Sequence, residues 1–311
     1  MSSAASSTVP TGTPRIAIVT TDPGFYPAED PDYDTPILLD ALAARGVDAV
    51  RAIWHDPAVD WASFDLAVLR STWDYTERFA EFTAWLGRAA STAPLVNPPA
   101  LVRWNLDKHY LQDLERAGVA IVPTVYAETL DAARDALASH AGRVVVKPTV
   151  SAGARDTGLF EASDPAALAL AERILAAGGG ARGVAMIQPE IAELTQGHEK
   201  ALYVIGGRET HAIAKGALLA PGGGFANGVY IEHPEPVDVT AAERAFAVRV
   251  AAAVAEITGT LPLYARVDIV DSALYGVVLL EVELIEPALN LHVAPEAISA
   301  VADAIVAAVQ R

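Results

Sequence analysis

The sequence predicts an α/β or α+β protein that begins with a small open parallel sheet. Three observations lead to this prediction. Apolar, strand-like runs alternate with helical patterns through the first part of the chain. A charged two-stranded hairpin lies near the C-terminus. The chain has 311 residues and is 52% hydrophobic, which is enough for two or three packed subdomains.

Composition excludes several classes of function. The formal net charge of -17 argues against a nucleic-acid partner, because phosphate backbones are bound by clustered Lys and Arg. The chain has no cysteine, which excludes disulfides, thiolate catalysis and Cys-ligated zinc and agrees with a cytoplasmic location. We find no signal peptide and no uncharged apolar run of about 18 residues, so no membrane partner is expected. The polar residues 1–13 predict a disordered tail.

The N-terminal part predicts a small parallel sheet. Three apolar runs predict its strands, at Arg15–Thr20, Val47–Trp54 and Phe64–Ser71. Between the first two runs, apolar residues at helical spacing predict a helix that Asp34 or Thr35 caps and Gly46 ends. Strands connected in this way pair in parallel, and such sheets bind ligands at the carboxyl ends of their strands.

Polar residues follow two of these strands. The first strand ends in Thr20–Asp22, and the third continues into the segment RSTWDY, Arg70–Tyr75. We expect an amino acid-like small molecule to be held here by Asp22, Arg70, Ser71, Thr72 and Asp74. The alternative is that the aromatic residues of the segment cover the sheet end while Arg70 pairs with Asp74.

The middle of the chain predicts further helices and strands that lead to a loop of small residues. A helix is expected up to Gly118, followed by a strand at 121–127, a helix at Leu130–His140 and a strand at Arg143–Thr149. Lys147 closes the last strand, where its side chain either extends to solvent or contacts a phosphate. The loop Ser151–Gly158 could bring its backbone close to phosphates, although it lacks the Walker lysine and the GxGxxG spacing.

A predicted hinge separates this region from the C-terminal part. The apolar strand Ala185–Ile191 contains Pro189, which indicates a strand end. Gln188 and Glu190 beside it are suited to an adenine amino group and ribose hydroxyls. The remaining elements are strands at 197–207 and 210–217, a mobile loop at Ala220–Gly228, and helices at Thr240–Thr258 and Pro295–Val309.

The hairpin carries the densest group of charges. Its strands are predicted at Ala265–Val270 and Val277–Leu284. With a four-residue loop, Arg266 and Asp268 would share one face with Glu281 and Glu283, because side chains alternate along a strand. Three adjacent carboxylates repel one another unless a cation lies between them, and oxygen ligands favour Mg²⁺ bridged to phosphates. The alternative is a structural ion pair between Arg266 and one of these carboxylates.

The order of these features resembles the ATP-grasp superfamily of carboxylate-amine ligases from Ile16 to the end of the chain. It comprises Lys108 on a helix, Lys147, the loop Ser151–Ala154, the hinge Gln188–Glu190, Glu199, the R-x-D of Arg266 and Asp268, and E-x-E-x-x-E-P at Glu281–Pro287. The family's usual metal-binding asparagine is replaced by Glu283, which keeps an oxygen ligand but adds a charge.

The resemblance implies a role for each of these residues. ATP would be bound by Lys108, Lys147, Ser151, Gly153, Gln188, Glu190, Ile191 and Glu199. Two Mg²⁺ ions, or Mn²⁺ in their place, would be held by Asp268, Glu281 and Glu283. Arg266 and Lys215 would be catalytic, and Gly223 and Asn290 would join the strand-end residues in binding substrate. The implied divisions are a substrate domain at 14–97 and two ATP-grasp subdomains at 98–190 and 191–311 that clamp ATP.

Four short segments, TTDPG, RSTWDY, WNLDKHYL and LLEVELIEPALNL, resemble the branch of the superfamily that closes O-ureido-D-serine to D-cycloserine, as well as glutathione-synthetase-like relatives. This implies a carbon-nitrogen ligase of antibiotic biosynthesis that activates a carboxylate as an acyl-phosphate. Two alternatives stay open: a ligase that joins two molecules, and a nucleotide-binding protein without turnover. A homo-oligomer is compatible with the sequence.

Overall fold

The computed structural model describes residues 12–26, 30–151, 153–177, 183–217, 219–224 and 233–310. The predicted disordered tail therefore lies almost entirely outside the described residues. The same is true of residues 225–228 of the predicted mobile loop. Within the described ranges, the chain forms three sheets with helices packed on them.

The first sheet is parallel, as the sequence predicts. Its strands are β1 (Arg15–Thr20), β2 (Asp48–Ile53), β3 (Leu66–Ser71) and β4 (Leu95–Val96), in the order β2-β1-β3-β4. The apolar run of β1 forms its centre, with Ile16 and Val19 fully buried. Two helices of this region are α1 (Asp34–Ala43) and α2 (Phe79–Ala90).

The prediction that Asp34 or Thr35 caps α1 is wrong, because the Asp34 carboxylate binds another segment of the chain. Its carboxylate accepts hydrogen bonds from the backbone N–H groups of Leu289, Asn290 and Leu291, far along the chain. Asp32 accepts the N–H of Thr35 instead. Buried N–H groups need partners, so a carboxylate near the start of the chain stabilises a loop near its end.

The single helix predicted to end at Gly118 is two helices, α3 (Pro99–Asn105) and α4 (Tyr110–Arg116). Lys108 lies in the break and not on a helix. Its backbone N–H donates to the Thr149 carbonyl, and the Asp107 side chain accepts the N–H of His109. These hydrogen bonds stabilise the turn between α3 and α4. Lys108 is thereby tied to the end of the strand that carries Lys147.

The second sheet is antiparallel. It consists of β5 (Val125–Ala127), β6 (Arg143–Pro148), β7 (Gly158–Glu161) and β8 (Ala185–Pro189), in the order β5-β8-β6-β7. The helices α5 (Leu130–Ser139) and α6 (Pro165–Ala176) pack against it through a buried cluster that includes Leu137 and Ile174. Strand β8 ends at Pro189, as predicted for a proline in that run.

The third sheet carries the hairpin. Its strands are β9 (Lys200–Ile205), β10 (Arg208–Ala214), β11 (Glu235–Pro236), β12 (Tyr264–Ser272) and β13 (Gly276–Glu283), in the order β11-β10-β9-β12-β13. The short helix α7 (Ala192–Thr195) precedes it, and α8 (Ala241–Thr258) covers one face. Thr240 and Glu243 form a capping box that starts α8.

The β12–β13 hairpin reaches the predicted arrangement of side chains by another route. Ser272 pairs with Gly276, so the loop has three residues and not the four assumed. A bulge at Leu280 then shifts the register by one residue. Beyond the bulge, Asp268 lies opposite Glu281 and Arg266 opposite Glu283.

The first and third sheets are joined by polar contacts and by the last helix. The side chain of Asn97 donates to the carbonyls of Tyr264 (3.1 Å) and Leu284 (2.7 Å) and accepts from Leu263 (2.8 Å). The helix α9 (Ile298–Val309) packs against α1. The domain divisions after residues 97 and 190 stay predictions. Among the described helices, none is long and apolar enough to cross a bilayer.

We expect Asp34→Ala to lower the free energy of unfolding by about 3 kcal/mol, since it leaves buried N–H groups of residues 289–291 without an acceptor. Urea unfolding measures this. Asp40→Ala, an exposed change on the same helix, should stay within about 0.5 kcal/mol of the wild type. Equal stability of the two variants would contradict this role of Asp34.

Candidate active site

A cleft between the second and third sheets collects every residue predicted above to bind ATP, hold metal or act in catalysis. These residues are Lys108, Lys147, Ser151, Gly153, Gln188, Glu190, Ile191, Glu199, Lys215, Arg266, Asp268, Glu281 and Glu283. The two strands of the hairpin form one wall, and β6 with the loop after it contributes to the other.

The hairpin wall is a network of ion pairs. Arg266 donates to both oxygens of Asp268, at 2.9 and 2.8 Å, and also to Glu283. Lys215 bridges Asp268 at 3.0 Å and Glu199 at 2.9 Å. The structural ion pair considered for Arg266 therefore exists, and it lies inside the cleft.

The carboxylates of this wall differ in their ease of ionisation. Burial disfavours the charge on Asp268, but Arg266 and Lys215 outweigh it and hold its pKa below the ordinary value. Lys108 and Lys147 do the same for the pKa of Glu281 against its burial. Burial raises the pKa of Glu283 to about 7, with Asp268 and Glu281 adding to the shift and Arg266 opposing it. Of these three carboxylates, Glu283 is therefore the hardest to ionise.

Two lysines face this wall. The ammonium of Lys108 donates to the Ser151 carbonyl at 2.8 Å and lies 3.0 Å from Glu281. Lys147 has no hydrogen-bond or ion-pair partner among the described residues, although Glu281 and Lys108 act on it electrostatically. Burial lowers its pKa. A half-buried ammonium group that lines a cleft without a partner is suited to an anionic ligand.

The loop after β6 approaches the cleft through its backbone. Gly153 and Ala154 adopt positive φ angles of 61° and 50°, which turn the chain sharply beside Lys108. Arg155 extends from this loop to Glu77, next to the first sheet, at 2.6 Å. Gly223, predicted to contact substrate, instead donates its N–H to the Leu159 carbonyl at 3.2 Å and does not line the cleft.

The end of the cleft near β8 is more apolar. Val145, Ile191, Leu194 and Leu280 line it together with Gln188 and Glu190. The Gln188 amide donates to Thr124 at 2.8 Å, and the Glu190 carboxylate pairs with Arg143 at 2.8 Å. An apolar lining with a few polar groups beside it suits a nucleobase better than a sugar or an amino acid.

The strand-end residues Asp22, Arg70, Ser71, Thr72 and Asp74 do not line this cleft, and neither does Asn290. Asp74 accepts from the Trp54 indole at 2.7 Å and from Arg78 at 3.4 Å, so its charge is used within the first sheet. The pairing of Arg70 with Asp74 is also absent from the described contacts. The expectation that Asp74 contacts an amino acid-like substrate at the strand end stays a prediction.

The other strand-end residues have structural partners as well. Asp22 is exposed and accepts from Gly24, Ser71 donates to Asp32 at 2.6 Å, and Asn290 donates to the Tyr203 hydroxyl at 2.9 Å. The hydroxyl of Thr72 is buried without a hydrogen-bond partner among the described residues.

Arg70 and Trp73 tie this strand end to the segment after β13. Arg70 donates to the Pro287 carbonyl, and the Trp73 indole donates to the Glu286 carbonyl at 3.0 Å. The Arg70 guanidinium also lies 4.9 Å from the centre of the Tyr264 ring. These contacts hold the segment after β13 against the end of the first sheet.

Among the ionisable residues that line the cleft, Tyr75 and Glu286 were not assigned as ligands or catalytic groups from the sequence. Burial raises the pKa of Glu286 to about 8, with the charge of Glu283 adding to the shift and the Tyr75 hydroxyl opposing it. The signal was present in part, because Glu286 is the last glutamate of the E-x-E-x-x-E-P motif. Nothing in the sequence brings Tyr75 to it.

No group of three or more His, Cys, Asp or Glu side chains is arranged to hold a metal in the part of the chain that the structure describes. The oxygens of Asp268 and Glu281 are engaged by Arg266, Lys215 and Lys108. The hairpin offers oxygen ligands only, as a hard divalent cation prefers, and further ligands would have to come from a bound phosphate.

The chain resembles a set of known proteins along nearly its whole length. Residues 16–97 match the family model described as "D-cycloserine synthetase DcsG, N-terminal domain". The cycloserine biosynthesis protein DcsG of Streptomyces lavendulae is 38% identical over 270 residues, which cover 84% of this chain and 88% of the relative. The crystal structure of D-cycloserine synthetase DcsG superposes with a TM-score of 0.85 at 34% identity, covering 95% of this chain and 99% of that one.

More distant structures share the fold. The RimK domain ATP-grasp protein of Sphaerobacter thermophilus gives a TM-score of 0.65 at 21% identity, covering 93% of this chain and 98% of its own. The D-alanine–D-alanine ligase of Bacillus anthracis complexed with ATP gives 0.65 at 14% identity, covering 96% and 97%. The predicted ATP-grasp fold is confirmed. The chain therefore belongs to the D-cycloserine synthetase family of ATP-grasp ligases.

Proposed function

We propose that this enzyme uses ATP to convert O-ureido-D-serine to D-cycloserine by ring closure within one molecule. The observation that carries the proposal is the cleft itself. Lys147, an ammonium group without a described partner, shares it with the carboxylates and the arginine of the hairpin wall. The substrate is inferred from the similarity to the cycloserine biosynthesis protein of Streptomyces lavendulae, whose length this chain largely covers.

The residues along the cleft can be assigned to the successive parts of ATP. The apolar slot near Ile191 and Gln188 would take the adenine, and Glu199 would take the ribose. Lys108 and Lys147 would bind the phosphates, with the backbone of Ser151 and Gly153 closing over them. The known complex of a fold relative with ATP supports the choice of nucleotide.

The carboxylates fit a divalent cation. Asp268 and Glu281 lie opposite each other, and burial together with these two carboxylates raises the pKa of Glu283 to about 7. These three residues would hold Mg²⁺ together with phosphate oxygens, and the ion would neutralise charge on the transferred phosphoryl group. Lys215 and Arg266 would turn from their carboxylate partners toward the nucleotide and the acyl-phosphate.

The reaction needs three covalent steps before D-cycloserine is released. A carboxylate oxygen of the substrate attacks the γ-phosphorus of ATP, the bond to ADP breaks, and an acyl-phosphate forms. The nitrogen bonded to the side-chain oxygen then attacks the carbonyl carbon, and phosphate leaves as the ring closes. Atom balance further requires water to remove the carbamoyl group as carbamic acid. Tethering of the nitrogen supplies the proximity that a second substrate would otherwise need to gain by binding.

Several finer features stay predictions. They are the presence of two metal ions, the use of Mn²⁺, a homo-oligomeric state and a cytoplasmic location. No observation favours a nucleic-acid partner, given the net charge of -17.

Incubation of the protein with ATP, Mg²⁺ and O-ureido-D-serine should release ADP and phosphate and yield a product with the mass of D-cycloserine. No second amine should be required. ADP formation that depends on an added amino acid would identify a ligase that joins two molecules. Nucleotide binding without ADP formation across a panel of amino acid derivatives would identify a protein without turnover.

Glu281→Gln and Asp268→Asn should each lower ADP formation at least a thousandfold, because each removes a charge that the cation and the phosphates require. Circular dichroism and thermal unfolding should still report a folded protein. Asp271→Asn, an exposed change on β12, is the matched control and should retain full turnover. Wild-type turnover of the Glu281 variant at saturating Mg²⁺ would refute the metal-binding assignment.

Lys147→Met should weaken the binding of a non-hydrolysable ATP analogue by about thirtyfold, or roughly 2 kcal/mol, since a charge-assisted contact is lost. Calorimetric titration measures the dissociation constant. Arg88→Met removes a cation from the exposed face of α2 and should leave the constant unchanged. An unaltered affinity in the Lys147 variant would place its ammonium group outside the nucleotide site.

A further inference from the structure

The carboxylates that line the cleft are matched by cations, with one exception. The matched pairs are Glu190 with Arg143, Glu199 with Lys215, Asp268 with Arg266 and Lys215, Glu281 with Lys108, and Glu283 with Arg266. Glu286 is the exception within the described ranges: it is 8% exposed and has no ion-pair partner there. A buried carboxylate without a cation is unfavourable, so this wall is suited to a cationic ligand.

The position of Glu286 is set before any ligand binds. Its carbonyl accepts the Trp73 indole at 3.0 Å, and the next carbonyl accepts Arg70. Tyr75 lines the cleft with Glu286, and its hydroxyl favours the charged form of the Glu286 side chain. Two residues of RSTWDY therefore hold the backbone at Glu286, and a third acts on its carboxylate. A site fixed in this way binds a small ligand without the cost of ordering its own side chains.

The structure of an α-amino acid indicates which cationic group Glu286 would bind. The ammonium nitrogen and the carboxylate carbon of an α-amino acid are bonded to the same carbon atom. A group that binds the ammonium must therefore lie beside the residues that activate the carboxylate. Glu286 meets this condition, because it lines the same cleft as Arg266 and Glu283. Asp74 does not, since it pairs with Trp54 and Arg78 inside the first sheet.

We propose that Glu286, supported by Tyr75, binds the α-ammonium group of the amino acid substrate. This contact makes the enzyme select amino acids over carboxylic acids that lack the amino group. The identity of the substrate rests on the proposed function, whereas the preference for an amino group follows from Glu286 itself.

Two ligands that differ only in the amino group test the proposal. They are O-ureido-D-serine and 3-(ureidooxy)propanoate. Their dissociation constants are measured by calorimetry in the presence of Mg²⁺ and a non-hydrolysable ATP analogue, for the wild type and for Glu286→Gln. The control is Glu243→Gln, which also changes a buried glutamate but lies on α8, where Glu243 pairs with Lys200.

The wild type and Glu243→Gln should prefer the amino compound by about thirtyfold or more, and Glu286→Gln should lose most of this preference. If Glu286→Gln does not fold, Tyr75→Phe takes its place and should reduce the preference severalfold. An undiminished preference in these variants overturns the proposal, as does a wild type that binds both compounds equally or binds neither. A raised Mg²⁺ requirement with an unchanged preference would make Glu286 a metal ligand and also overturn it.

Failure of the proposed function has a different signature. If the wild type prefers the amino compound through Glu286 but forms no ADP from O-ureido-D-serine, the ammonium site stands and the cyclising reaction falls. If ADP and D-cycloserine form but the preference is independent of Glu286, the reaction stands and the ammonium site falls.

Discussion

The register of the β12–β13 hairpin is the constraint on which the active site depends. Strand side chains alternate, so a slip of one residue would move Glu281 and Glu283 to the apolar face. The three-residue loop alone would produce this slip, and the bulge at Leu280 reverses it. Arg266 and Lys215 then hold the carboxylates in place. The bulge midway along the hairpin therefore lets the same two strands present charged side chains to the cleft and apolar side chains to the core.

The same hairpin also joins the first sheet to the third. Asn97 bonds the backbone on both sides of the hairpin base, and the Tyr264 hydroxyl donates to Leu69 at 2.6 Å and to Ile285 at 2.9 Å. Asp34 does the same for residues 289–291. Each contact pairs a side chain with main-chain groups distant in sequence. Buried hydrogen bonds to the first sheet therefore hold the cleft wall in place. Arg70 and Trp73 of RSTWDY add two more such bonds.

Most strands and helices, and all the charged residues of the cleft except Glu286, could be predicted from the sequence, because periodicity and motif spacing are local signals. Arg15–Thr20 was predicted to the residue. The failures involve polar residues whose partners are distant. Asp34 was expected to cap a helix, but its carboxylate accepts the N–H of Leu289 instead. The sequence likewise gives no sign that the Trp54 indole donates to Asp74. Glu286 was not assigned from the sequence, because what distinguishes it is that no cation pairs with it among the described residues. That feature is visible only in the folded cleft.

The distribution of lysine has a consequence for chemical reactivity. The chain contains four lysines, and the remaining basic side chains apart from histidine are arginines. Lys108, Lys147 and Lys215 line the cleft, while Lys200 pairs with Glu243. The lowered pKa of Lys147, caused by burial, leaves more of its amine unprotonated near neutral pH than at an exposed lysine. Acylating reagents that target amines would thus find few sites on the outer surface, and covalent labelling of this protein would report chiefly on access to its cleft.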